Sequence, residues 1–137
     1  MLRSFAGLHD LSAALVIGGK DLASERELIN KMNIVIATPG RLLQHMDETS
    51  SFEASTLQVL VMDEVDRMLD LGFKSSVDMI LRNLPKERQT LLFSATVGKS
   101  IKDLGRLNMQ PDYENIQIDN FDKIEDLAGT GEEKNEE

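Results

Sequence analysis

Two adjacent carboxylates, Asp63 and Glu64, end the short apolar run Leu57–Met62 and precede a helix-compatible segment with Arg67, Met68 and Leu69. Four consecutive apolar residues before paired acids suit a strand buried on both faces whose C-terminal end opens into a polar site. Acids so placed can divide the work of nucleotide hydrolysis. The first holds a hydrated magnesium ion bound to phosphate, and the second orients or deprotonates the attacking water. The same run also fits a surface turn with two acids, so the pair alone decides nothing.

Three other stretches carry residue types with a chemical use. Gly18-Gly19 closes an apolar run and suits a tight strand-to-helix turn. Thr38-Pro39-Gly40-Arg41 opens a helix: Thr38 is a fair N-cap and Pro39 sits where its missing donor costs nothing. Free amides at a helix start bind anions, and Arg41 adds charge, so this end could hold a phosphate of a single nucleic-acid strand, although sequence alone favours an ordinary capped helix with a surface Arg. Ser94-Ala95-Thr96 ends a further apolar run, and its two hydroxyls can bond a neighbouring carboxylate or serve turn chemistry.

The strand, glycine turn and helix around Gly18-Gly19 imitate a nucleotide-binding P-loop. A P-loop needs Gly-x-x-x-x-Gly-Lys followed by Ser or Thr. Here Ala14 stands at the first glycine and Asp21 at the hydroxyl, so Gly18-Gly19 is not a nucleotide site.

Asp63-Glu64-Val65-Asp66-Arg67-Met68-Leu69-Asp70 with Gly72-Phe73 resembles motif II of the DEAD-box RNA helicases and the helix and turn after it. Gly18-Gly19, Thr38 to Arg41, and Ser94 to Thr96 follow the family's GG element, motif Ib and motif III, in the family's order. The resemblance covers Leu2 to Ile118 and implies the later part of the family's first RecA-like domain. It implies ATP and magnesium as cofactors, with Asp63 on the metal through water and Glu64 as the water-activating acid. It implies RNA on Gly18, Gly19, Thr38, Pro39, Gly40 and Arg41, and coupling of the two sites through Asp66, Ser94 and Thr96. The stretches Ile17 to Leu22 and Thr38 to Thr49 look most like a nucleolar, ribosome-biogenesis subgroup, which implies a nuclear or nucleolar location and pre-ribosomal protein partners. Val65 departs from the family's usual Ala, and two extra methyls in a packed corner cost about 1–3 kcal/mol if neighbours do not adapt. Asp63 to Asp66 also spells a caspase cleavage motif, but that needs an exposed flexible loop rather than a strand end.

The elements that would position these residues alternate between strand and helix. Leu11–Ile17, Ile34–Ala37, the run ending at Met62, and Thr90–Phe93 read as buried strands, with Tyr113–Ile118 as a last one. Asp21 caps a helix running to about Asn30, with Leu22, Leu28 and Ile29 inward; Leu42, Leu43 and Met46 face inward on the next. Val77, Ile80, Leu81 and Leu84 recur at helical spacing before Pro85, and Ile101, Leu104 and Leu107 mark one more helix. Met1 to Gly7 suits the end of a helix, and Asp47 to Ser55 is a polar loop. The fold class is α/β, a parallel sheet flanked by helices, here an incomplete RecA-like domain over 1–118 without a P-loop strand.

Composition narrows the setting. The 137 residues hold no Cys and no Trp, which excludes disulfide and Cys-zinc frameworks and leaves the core to Leu, Ile, Val and Met. No apolar run approaches the roughly 20 residues that span a bilayer, so a soluble intracellular protein is expected. The net charge of −9 is uneven: from Pro111 onward ten acids face two lysines, which leaves −1 for everything before. Residues 119–137 therefore read as an acidic disordered tail. Bulk charge in the main body argues neither for nor against nucleic acid.

The sequence holds no phosphate-cradling Lys of the P-loop kind, no Pro-Thr-Arg-Glu motif and nothing of a second RecA-like domain with its arginine finger. The chain is thus expected to be a truncated product or fragment, inactive by itself. The alternatives are a non-catalytic RNA- or protein-binding module and an unstable truncation. The apolar, uncharged segment Thr90–Phe93 would be an unprotected edge without a P-loop strand beside it, so self-association is expected.

Overall fold

The computed structural model describes residues 11–96, 98–109 and 112–117. The elements run β1 (Ala13–Val16), α1 (Leu22–Ile29), β2 (Ile34–Ala37), α2 (Pro39–Glu48), β3 (Val59–Met62), α3 (Val65–Asp70), α4 (Lys74–Asn83), β4 (Gln89–Leu92) and α5 (Lys99–Asn108). The helix end expected at Met1–Gly7 and the tail 119–137 lie outside the described residues. Residues 113–117 carry no strand, and Ile116 is 77% exposed.

Both strand pairings are parallel, as the strand-and-helix alternation requires. β1 lies beside β2 in the register Ala13↔Ile34 to Val16↔Ala37, and β3 beside β4 from Val59↔Gln89 to Met62↔Leu92. Among the described residues these are two separate two-stranded sheets rather than one ladder. Helix α2 packs against α4 and so joins the two halves.

Local chemistry sets the helix ends. The Asp21 carboxylate accepts the Ser24 N–H at 2.9 Å, and the Ser24 hydroxyl donates back to the Asp21 carbonyl at 2.9 Å, which starts α1. Pro39 opens α2, although Thr38 makes no side-chain cap. Between α3 and α4 the chain turns at Gly72 with φ 85°. Its N–H reaches Leu69 O and the Phe73 N–H reaches Met68 O, both at 3.0 Å. That pair of bonds is a Schellman closure, and its left-handed residue favours glycine.

The β3·β4 half is held by an apolar cluster of Met62, Val65, Val77, Leu81, Ile101 and Leu104, with Leu60, Met68, Leu69, Phe73 and Leu92 packed on it. Each such side chain, once fully buried, stabilises the fold by about 1.5–3 kcal/mol. The periodicity of α4 holds in full, since Val77, Ile80, Leu81 and Leu84 are all buried. Val65, the larger residue at that corner, is wholly buried in this cluster.

Two sequence expectations are corrected. The strands are not buried on both faces: Leu60, Met62 and Leu92 meet the cluster, while Val59, Val61 and Leu91 on the opposite face, with Phe93 just beyond β4, are exposed. On α1 the inward positions are Leu22, Glu25 and Ile29, and Leu28 is 48% exposed. A charged residue takes the place that hydrophobicity assigns to leucine, for a reason that lies on α2.

Candidate functional site

At the C-terminal ends of β3 and β4 the chain brings the expected acids and hydroxyls together. The Phe93 N–H donates to Met62 O at 2.8 Å, and the Val65 N–H donates to Phe93 O at 3.1 Å, so the two strand exits are tied. Asp63 and Glu64 lie exposed on this rim, and Asp63 Oδ1 accepts the Glu64 N–H at 2.9 Å. Glu64 has φ 49° and ψ 47°, the only non-glycine with positive φ among the described residues. Such a backbone costs a residue with a Cβ about 1 kcal/mol or more, and strain of this kind gathers where a side chain has to be aimed. The Glu64 carboxylate meets Arg67 at 3.0 Å, a pair exposed on both sides.

Asp66 is the joint between the two strand exits. Its Oδ1 accepts the Arg67 N–H at 3.0 Å and its Oδ2 the Thr96 N–H at 3.1 Å. The Ser94 hydroxyl donates to Thr96 O at 2.8 Å. The expected side-chain contacts of Ser94 and Thr96 with this carboxylate stand beside the Arg67 and Thr96 N–H bonds. Burial would raise the Asp66 carboxyl, but the Arg67 N–H and the Thr96 and Ser94 groups outweigh it and hold the pKa below the usual range.

A second site of different character stands at the ends of β1 and β2. Gly18, Gly19, Thr38 and Gly40 are exposed, and the Thr38 N–H donates to Val16 O at 3.1 Å, which sets the glycine turn beside the start of α2. Gly19 has φ 85°, and a Cβ on Gly18 or Gly19 would meet nothing within 4 Å, so the space above this turn is open. Pro39 is half-buried, and Gly40 comes near the Phe73 ring.

Arg41 does not share that exposure. Its guanidinium donates from Nε to Glu25 Oε2 at 2.8 Å, from Nη1 to Gln44 Oε1 at 3.0 Å and from Nη2 to Lys20 O at 2.6 Å. His45, wholly buried, places Nε2 at 2.9 Å from the same Glu25 oxygen and Nδ1 at 3.0 Å from Thr49 Oγ1. Burial alone would raise the Glu25 carboxyl; hydrogen bonds from His45 and Arg41, with the Arg41 charge, overcome this and hold it below the usual range. Sequence reasoning missed Glu25, His45 and Thr49. The signal was positional: Leu22 and Ile29 inward on α1 force position 25 inward, whatever occupies it.

The DEAD/DEAH box helicase family model matches residues 1–104, which contain both sites. The chain belongs to this family. The Homo sapiens protein named "Probable ATP-dependent RNA helicase DDX10" is 60% identical over 114 residues, 82% of this chain and 13% of that protein. "ATP-dependent RNA helicase DBP4" of Yarrowia lipolytica is 58% identical over the same length, 82% of this chain and 15% of that protein. The chain therefore spans a small part of the relatives it matches. Among solved structures, a DEAD box protein from the hyperthermophile Methanococcus jannaschii superposes with a TM-score of 0.71 at 35% identity, over 76% of this chain and 28% of that one.

The DEAD-box acids fit a magnesium ion of the sparsely ligated kind. Magnesium in phosphate sites is bound by one or two carboxylates, substrate phosphates and retained waters. Asp63, exposed and with one oxygen committed to the Glu64 N–H, offers a single carboxylate of that sort. No helix among the described residues is long and apolar enough to cross a membrane.

Proposed function

We propose that this chain is part of an ATP-dependent RNA helicase, supplying the hydrolytic acids and one stretch of the RNA-binding surface. The observation that carries the reading is the joint at Asp66, which fixes the rim bearing Asp63 and Glu64 to the Ser94–Thr96 turn through the Thr96 N–H at 3.1 Å. The relatives' names point the same way. Asp63 would hold magnesium through water, and Glu64 would take the proton of the water that attacks the terminal phosphate of ATP. Magnesium, when bound, neutralises charge developing on the transferred phosphoryl group. The exposed pair with Arg67 contributes little, so Glu64 is released to water at small cost.

Gly18, Gly19, Thr38, Pro39 and Gly40 would line the RNA backbone, with the N–H groups of the three glycines as donors, because Pro39 has none and the Thr38 N–H is held by Val16 O; Asp66, Ser94 and Thr96 would transmit between the sites. The 137 residues contain no P-loop sequence, so turnover needs a phosphate cradle that they do not supply, and the chain alone is expected to turn over no ATP. The nucleolar, ribosome-biogenesis setting and pre-ribosomal partners rest on the resemblance of Ile17–Leu22 and Thr38–Thr49. In a protein joining this chain to a P-loop and a second RecA-like domain, Glu64→Gln should abolish RNA-stimulated hydrolysis and leave ATP binding largely intact. Normal turnover would reject the role given to Glu64.

A binding module without catalysis is the second reading. It is favoured by one observation: the glycine turn and the α2 start are assembled wholly within this chain.

A further inference from the structure

A single planar group joins the two backbone segments at the ends of β1 and β2. Lys20 directly follows Gly18-Gly19, and Arg41 directly follows Thr38-Pro39-Gly40. The Arg41 guanidinium bonds the Lys20 carbonyl at 2.6 Å, so it spans from the first turn of α2 to the glycine turn. It is anchored from below by Glu25 at 2.8 Å and from the side by Gln44 at 3.0 Å. Glu25 is itself fixed by His45 on the same oxygen, and His45 by Thr49. The Arg41 and Glu25 side chains are 9% and 7% exposed, so this is an interior assembly.

That geometry conflicts with the obvious use of an arginine beside an anion site. A guanidinium that binds phosphate needs donors facing solvent, whereas Arg41 directs all three of its nitrogens into the chain. Turning it outward would strand the Glu25 carboxylate, whose Oε1 already has no partner, in a buried position. The planar fork is suited to fixing three partners at set angles, which a lysine ammonium on a flexible stem does not reproduce.

We propose that Arg41 is a positioning residue for RNA: seated on Glu25 and His45, it fixes the spacing of the Gly18-Gly19 turn and the Thr38-Gly40 helix start, so that both meet one single strand. The inference rests on the RNA reading above. It assigns RNA contact to the exposed backbone of the two segments, with the Gly18, Gly19 and Gly40 N–H groups as donors, and removes Arg41 from the phosphate ligands.

The test is fluorescence anisotropy of labelled single-stranded oligouridylate against the 137-residue chain and its variants across a salt series. Circular dichroism at the measuring temperature establishes that each variant is folded. Arg41→Lys, which keeps the charge, is expected to weaken binding about tenfold, the equivalent of one lost charge-assisted hydrogen bond. Its salt slope should match that of the unmodified chain, whereas losing a phosphate contact would flatten the slope by about 0.7. Glu25→Gln gives the sharper sign. It removes a negative charge, so electrostatics alone would tighten binding, yet loosened positioning weakens it. If either variant fails to fold, Gln44→Ala decides, because it deletes one half-buried partner and leaves the ion pair; binding weakened two- to threefold or more at unchanged slope supports the inference. Arg41→Lys binding as tightly as the unmodified chain, Glu25→Gln binding more tightly, or Gln44→Ala without effect would overturn it. An unmodified chain that binds no RNA would instead remove the RNA reading itself, and this inference with it.

Discussion

The two strand pairs share a plan and differ in what fills them. Each is a parallel pair of four-residue strands with its candidate site at the C-terminal ends. Beneath β3 and β4 the large buried side chains are all apolar, and Asp63 and Glu64 lie exposed at the strand ends. Around β1 and β2 three of the five buried residues, Glu25, His45 and Thr49, are polar, beside Val16 and Ile29. The difference suits the roles proposed for the two sites. Carboxylates that must reach a metal or a water need mobile side chains on a fixed base, which apolar packing supplies without competing for their charge. A site built of main-chain amides uses no side chains for binding, so those below it can be spent on holding the backbone in place.

The largest expected effect separates the halves by charge. Glu25→Ala leaves Arg41 without its counter-ion and His45 without its partner, and should destabilise the β1·β2 half by about 3–5 kcal/mol, as other broken buried pairs do. Val65→Ala in the apolar half removes two methyls from a wholly buried site and should cost about 2 kcal/mol. Denaturant unfolding with local amide-exchange protection measures both, and a larger loss for Val65→Ala would erase the contrast drawn between the halves.

Acid sharpens the same contrast at smaller amplitude. Because the folded Glu25 carboxyl lies below its unfolded value, its contribution is complete above the ordinary glutamate range and fades as pH falls through the lowered value. Amide protection in α1 and β2 should therefore weaken in acid before protection in α4. Asp66 is also lowered, but it sits at the strand exit, so its protonation frees the Thr96 N–H without disturbing the cluster around Val65. Simultaneous loss in both halves would mean that the ion network does not stand apart.

How much was legible in the sequence also divides along this line. Helix α4 could be read because Val77, Ile80, Leu81 and Leu84 repeat at helical spacing and each buries a side chain as its type suggests. The acids were legible because Asp63 and Glu64 end an apolar run. Around β1 and β2 the same reasoning turned Leu28 inward and passed over Glu25, since hydrophobicity alone cannot see a partner on another helix. Arg41 was placed correctly at the start of α2, but its direction depends on Glu25, sixteen positions earlier. The strand faces were misread for a related reason, because an apolar run does not say which of its faces this chain covers. Val61, Leu91 and Phe93 stay 54%, 37% and 54% exposed.

Those outer faces give the smallest effect, one that depends on concentration. We expect the chain to self-associate through them, on the β3·β4 side by way of Val61, Leu91 and Phe93. Sedimentation should show oligomers that Val61→Lys together with Leu91→Lys shifts toward monomer. A monomeric unmodified chain would show that these faces need no cover.

RNA is proposed to meet one strand end and ATP the other. Amide exchange in a protein that joins this chain to a P-loop and a second RecA-like domain, compared with and without single-stranded RNA, tests it most directly. RNA alone should slow exchange at residues 17–21 and 38–41 and leave 63–66 unchanged until ATP and magnesium are added. Protection by RNA alone centred on 63–66, with none at the glycine turn and the start of α2, would contradict the division.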